Sequence, residues 1–342
     1  MKKETLKNVL SVIAVLLAFV VVLGLVTRLL EPKYMDTLVE GSMLSQYYEE
    51  SGGHDVIFIG DCEVYANITP LEMYRCEGIT TYVRGSSQQL IWQSYYVLKE
   101  TLRYETPKAV VYNVNAMRYG EPVSEAFNRL TIDQMKWSAE KVAMIQASMM
   151  KEETFLSYVF PILRYHSRFD ELTAEDLRYF FREKQTTWSG HLVNQAVNPL
   201  GTLPAKRPLP EYQFPEICYG YLDQMRQLCE EKGVELILMK APSVYPFWYE
   251  EYDSQIREYT QRHGLRYYNF LDHAEEIGID YSQDTYDGGQ HLNLSGAVKL
   301  SNYFAKILTR EHGLEDHRND PGIAREYTQK LARYDAQIAE QR

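Results

Sequence analysis

The residues best suited to covalent chemistry lie near opposite ends of the chain: Cys62, in Gly60-Asp61-Cys62-Glu63, and His291, in Asp287-Gly-Gly-Gln-His291. A thiol becomes a strong nucleophile once a neighbouring base takes its proton, and imidazole is the usual base. A carboxylate close in sequence can fix the imidazole tautomer and steady the imidazolium that forms. Cys62, His291 and Asp287 thus make a candidate nucleophile, base and orienter. Asp284 competes with Asp287 for the third place, and Asp287-Gly288 is also a natural turn. Each residue has an ordinary role to set beside the chemical one. A cysteine beyond a buried strand is often a small hydrophobe, His291 could cap the helix that follows it, and Glu63 is expected to face solvent.

Such a set needs a scaffold that brings distant segments together. Val56 to Ile59 is a short apolar run that stops at Gly60, as a buried strand does. This places Cys62 at the carboxyl end of a central strand, where open α/β sheets keep their sites. Further strands are expected at Thr80–Val83, Ala109–Val114, Val234–Lys240 and Arg266–Phe270. Most are apolar without clean alternation, the pattern of parallel strands buried on both faces. Helices fall between them. Ile91, Tyr95, Leu98 and Leu102 mark one buried face of Gln88–Tyr104, and Ile217, Tyr221, Met225 and Leu228 mark another before a Gly233 C-cap. Residues 55–312 therefore read as one α/β domain, closed by a helix that begins near Leu294. Within it, about 117–215 exceeds any crossover and reads as a helical insertion or lid, with helices near Ile132–Met150 and Ala174–Lys184. A lid carrying Trp137, Tyr179 and Trp188 could stack against a sugar chain, although core packing explains the same residues. The charged tail, 313–342, is expected to form a surface helix over Arg325–Gln341, docked by Tyr327, Leu331 and Tyr334.

Val9 to Val26 is apolar apart from Ser11 and Gly24, at the short end of what spans a bilayer. Lys2, Lys3 and Lys7 precede it, which favours a cytoplasmic N-terminus and an exported remainder. A cleaved signal peptide is the competing reading, but no small-x-small site follows Val26. Residues 1–30 are thus expected to be a cytoplasmic tip and membrane anchor, and 31–54 a connector with a short helix near Tyr34–Glu49. The chain holds 36 Lys and Arg against 47 Asp and Glu, a formal charge of −11, which argues against nucleic acid as a partner. Its four cysteines show no metal-ligand spacing, and Cys218 and Cys229 fall too far apart on one helix to bridge. No cofactor and no metal are implied.

The order of blocks resembles the SGNH (GDSL-type) hydrolase superfamily of esterases and acyltransferases. Gly60-Asp61-Cys62 matches its Gly-Asp-Ser with cysteine for serine, and Gly85 matches its second block. Asn113-Val114-Asn115 matches its Gly-x-Asn without the glycine, and Asp287-Gly-Gly-Gln-His291 is its Asp-x-x-His with one residue more. The resemblance spans roughly 55–115 and 234–308. It implies a flavodoxin-like three-layer α/β/α fold, acyl transfer through a Cys62 thioester, and an oxyanion hole from the Cys62 and Gly85 N–H groups with the Asn115 side chain. An anchored, exported domain of this type is similar to accessory proteins that work beside membrane-bound O-acyltransferases. That likeness implies a cell-envelope polysaccharide or teichoic-acid-like polymer as substrate. The departures from the motifs equally suit a degenerate domain that binds polymer or an O-acyltransferase partner without catalysis.

Overall fold

The computed structural model describes residues 2–32, 43–50, 52–181 and 185–340. The chain opens with α1 (Lys2–Leu30) and enters a sheet with β1 (Val56–Gly60). The short helices α2 (Cys62–Asn67) and α3 (Pro70–Glu77) lead to β2 (Thr81–Gly85), α4 (Ile91–Tyr104) and β3 (Ala109–Asn113). Next come α5 (Glu125–Ile132), α6 (Ala139–Ser148), α7 (Phe155–Val159), α8 (Ile162–Tyr165) and α9 (Ala174–Phe181). The sheet resumes through α10 (Glu216–Lys232), β4 (Glu235–Lys240), α11 (Glu250–His263) and β5 (Arg266–Asn269). After α12 (Ala274–Ile277), the helices α13 (Leu294–His312) and α14 (Pro321–Glu340) end the fold. Two compact units result: Ser42–Met150 with Thr186–Arg342, and Met1–Gly41 with Lys151–Gln185.

The larger unit holds five parallel strands in the order β2-β1-β3-β4-β5. Side chains alternate across a strand, so each strand feeds two cores. Ile57, Ile59, Val110, Tyr112, Leu236 and Leu238 pack with α4, α10 and α11 on one face. Val56, Phe58, Val111, Ile237 and Met239 pack with α2, α3 and α13 on the other. Every residue of β1, β2 and β3 is buried, which is why these segments are apolar runs rather than alternating ones. This is the flavodoxin-like doubly wound order, and the order in which strands are added reverses between β1 and β3, opening a crevice at their carboxyl ends.

The five expected strands are present, each within a residue or two of its sequence limits, and Gly233 caps α10 in the left-handed region. Other expectations are corrected. The helix expected at Ile132–Met150 is shorter, Ala139–Ser148, because α5 ends at Ile132 and Ser138 caps a new helix by accepting from the Lys141 N–H. The helix α11 was not expected; its buried stripe is Tyr252, Ile256 and Tyr259 in an otherwise charged sequence. The insertion is not one lid, since 151–185 belongs with the N-terminal helix. Trp188 is buried against Tyr334 and donates its indole N–H to Gln337, so it holds α14 rather than a ligand. Of the connector helix, Ser45–Glu49 forms one 3₁₀ turn, and residues 33–42 lie outside the described residues. So do Gln341, at the end of the expected tail helix, and residues 182–184, at the end of the helix expected from Ala174.

In the smaller unit, α1 contains one segment long and apolar enough to cross a membrane, Glu4–Leu30, whose most apolar 18 residues have mean hydropathy 3.2.

Candidate functional site

Gly60 ends β1 at φ +157°, and a Cβ there would press on the Asn113 Cβ at 3.0 Å, so the sharp exit from the strand requires glycine. Asp61 then caps α2, its Oδ1 accepting from the Glu63 N–H at 3.0 Å. Cys62 opens that helix and lines a cavity of about 280 Å³ with Gln88, Asn115, Arg118, Tyr245 and His291. The facing wall is the loop before α13. Thr285 organises that loop, donating to the His291 carbonyl and accepting from the Gly289 N–H, both at 2.8 Å. The Leu292 N–H donates to Asn67 Oδ1 at 2.7 Å, which ties the loop to the end of α2. Residues from opposite ends of the chain are thereby brought to one crevice.

Asp287 grips its histidine twice: Oδ2 lies 2.6 Å from Nδ1, and Oδ1 accepts the His291 backbone N–H at 2.8 Å. Nδ1 therefore carries a proton toward the carboxylate, and Nε2 is left for the cavity that Cys62 also lines. Tyr286 stacks on the imidazole at 5.7 Å and 13°. Asp284 instead accepts from the Asp280 N–H at 2.8 Å and from Lys299. Of the two candidate carboxylates, Asp287 is the one that meets the imidazole.

Burial pushes the Cys62 thiol above its ordinary range; His291 opposes this, and the carboxylates of Asp61 and Glu63 reinforce it. For His291, burial works against the charged ring, yet the Cys62 sulfur and the Asp287 bond outweigh it and raise the ring well above the usual value. The two groups titrate as a pair.

Beneath the thiol lies a buried polar network. Lys240 Nζ, at the end of β4, donates to both Glu63 oxygens at 2.8 and 3.0 Å and to the Ala241 carbonyl at 2.8 Å. Asn113 Nδ2 donates to Glu63 Oε2 at 2.9 Å and to Asp61 Oδ1 at 3.2 Å. Glu63 was expected to face solvent; it is 3% exposed because Lys240 reaches it from β4, two strands over from β1. Burial, followed by the charge on Glu63, holds the Asp61 carboxyl above the ordinary range. Asn115 Nδ2 donates to Asp61 Oδ2 at 2.6 Å, and its Oδ1 accepts from Arg118 at 2.7 Å. The amide is thus fixed in orientation, with one Nδ2 hydrogen still available to the cavity.

Gly85 is brought near but does not line the cavity. It pairs in register with Gly60, and a Cβ there would meet Val64 at 2.5 Å and the Gly60 carbonyl at 3.0 Å. Its role is close approach of β2 to the turn that carries Cys62. The cavity wall after β2 is formed by Gln88 and Gln89, with Gln88 in the left-handed region at φ +52°. Sequence reasoning missed Lys240, Arg118 and Gln88. Only Lys240 left a signal, a lone charge ending the run Leu236-Ile-Leu-Met239. Among the described residues, no group of three or more His, Cys, Asp or Glu is placed to hold a metal ion.

No family model and no curated protein matches this sequence. Among solved structures, the chain is similar to a protein from Bacteroides fragilis assigned as an acylhydrolase, at 11% identity and TM-score 0.37, over 78% of this chain and 95% of that one. It is also similar to a GDSL-like lipase from Bacteroides thetaiotaomicron, at 12% identity and TM-score 0.34, over 80% and 99% of the two chains.

Proposed function

We propose that this chain is a membrane-anchored, extracytoplasmic SGNH-type enzyme that transfers or hydrolyses acyl groups on a cell-envelope glycopolymer. The observation that carries this reading is the Asp287–His291 pair facing Cys62 across one cavity, where the strand order switches between β1 and β3. In the reaction, His291 Nε2 takes the Cys62 proton as sulfur attacks an ester carbonyl. The oxyanion is met by the Cys62 N–H and the free Asn115 Nδ2 hydrogen, with Gly85 serving only to support the turn. The intermediate collapses, His291 returns its proton to the departing alcohol, and a thioester remains on Cys62. Water or a polymer hydroxyl, deprotonated by His291, then attacks the thioester and releases the thiol. The acceptor is a polysaccharide or teichoic-acid-like polymer, and a membrane-bound O-acyltransferase is the partner class that would exchange acyl groups with it.

A second reading, a binding module on the same fold, draws on the buried thiol and on the Asn115 amide already engaged at both ends. Intact mass of the full chain in detergent, after exposure to an activated acetyl ester, separates the two. Under the enzyme reading, an acetyl group appears on Cys62 and is lost in both Cys62→Ala and His291→Ala. An adduct on Cys62 that persists in His291→Ala, or no adduct at all, favours the binding module.

A further inference from the structure

The smaller unit presents an unusual surface. Within 156–181, Leu156, Phe160, Leu163, Phe169, Leu177 and Phe181 are exposed at 58, 47, 56, 71, 50 and 84%. Large side chains of this kind, clustered on a short stretch of chain, mark a surface that something covers. Their neighbours are orderly. Thr173 and Asp176 form a capping box at the start of α9, the Thr173 N–H donating to Asp176 Oδ2 at 2.9 Å and the Asp176 N–H to Thr173 Oγ1 at 3.4 Å. Arg168 donates to the Leu30 carbonyl and pairs with Asp176 at 3.4 Å, so one guanidinium joins the end of α1 to α9. A cation there also suits the negative end of the α1 dipole.

Where this unit sits along α1 decides what covers it. α8, α9 and the turn 166–170 all contact α1. Leu23, Thr27, Leu29 and Leu30 are shielded, whereas Leu6 to Val22 is exposed throughout. Arg28 lies over the Phe180 ring at 5.9 Å. A hydrocarbon core of about 30 Å takes about 20 helical residues. Counted from Lys7, those residues end near Thr27. The exposed phenylalanines and leucines therefore surround α1 at the level where acyl chains give way to headgroups.

We infer that residues 155–181 form a collar seated in the outer interface of the bilayer, with lipid as the occupant of its apolar face. This rests on the reading of α1 as an uncleaved anchor. The collar would add buried apolar area to a short span and fix the depth and tilt of α1, as interfacial helices do.

The test uses the full chain carrying Cys62→Ala and Cys76→Ser, with single Phe169→Cys, Phe181→Cys or Val123→Cys changes labelled by an environment-sensitive fluorophore. Val123, on the larger unit, is 58% exposed and serves as the water reference. In phosphatidylcholine–phosphatidylglycerol vesicles, the labels at 169 and 181 should shift to shorter wavelength. A lipid spin label near the headgroups should quench them several-fold more than the label at 123. Labels at 169 and 181 that behave like the one at 123, in protein that floats with vesicles after alkaline wash, overturn the collar and leave the anchor intact. Protein that fails to float overturns both. Labels shielded from water but untouched by the lipid quencher point to a protein occupant and also overturn the proposal.

Discussion

Cys62 is a thiol that its surroundings keep protonated. Burial and the nearby carboxylates disfavour thiolate, so its alkylation by iodoacetamide should follow an apparent pKa above that of free cysteine. Peptide mapping across pH checks this, and a rate already at its plateau at pH 7 would contradict it. Asp287→Asn should leave the fold intact and slow acyl-enzyme formation by about two to four orders of magnitude, because the wrong tautomer then faces sulfur; stopped-flow acylation reads this directly. Lys240→Met strands the buried Glu63 charge and should lower stability by about 3–5 kcal/mol in urea unfolding. Adding Glu63→Gln should restore most of the loss. Lys240 stood out in the sequence as a lone charge ending an apolar run, but its pairing with Glu63 did not, since the two are far apart and meet only because β4 ends behind α2. Cys62, Asp287 and His291 were legible because strand, glycine and a loop before a helix are local signals. The choice of Asp287 over Asp284 needed the fold, which engages Asp284 with Lys299 instead.

At the scale of elements, the strands were readable because burial on both faces demands continuous apolar runs. The helix α11 was not, because its buried stripe is largely tyrosine, whose polar tip masks the periodicity. Tyrosine does similar work at the tail, where Tyr327 stacks on Tyr74 at 4.0 Å and Tyr334 is fully buried. Tyr334→Ala should therefore cost about 3–5 kcal/mol, an amount typical of a buried ring, and expose the Trp188 indole to acrylamide quenching. At the foot of the strands, His54 is bonded to Glu105 at the end of α4, at 3.0 Å. Burial opposes its charge, but Glu105 and Glu50 raise its pKa from 6.5 to about 9. A folded-state value above the unfolded one stabilises fully below pH 6.5 and is lost as pH rises through about 9. Glu105, lowered from 4.5 to about 2, contributes above pH 4.5 and loses its share as pH falls through about 2. Denaturant midpoints should fall between pH 6.5 and 9 in the parent chain and stay flatter there in His54→Gln.

For the whole molecule, α1, under the proposed reading as an uncleaved anchor, would hold the proposed chemistry at a membrane surface. Protein extracted from membranes should retain its N-terminal peptide by mass spectrometry, and a new terminus after Val26 would mean a cleaved leader instead. The division of the insertion between two units was invisible in the sequence, because exposed phenylalanines on a short helix look like core residues until their neighbours are known. The ties between α2 and the loop before α13 carry a consequence for biogenesis. Cys62 is made early and His291 late, and no local contact can pair them. As the chain is made, Cys62 emerges as a bare thiol and stays without its histidine until the loop before α13 has followed. Under the proposed function, acylation of Cys62 should thus require the chain through His291, and Cys62 should be most vulnerable to oxidants before that point.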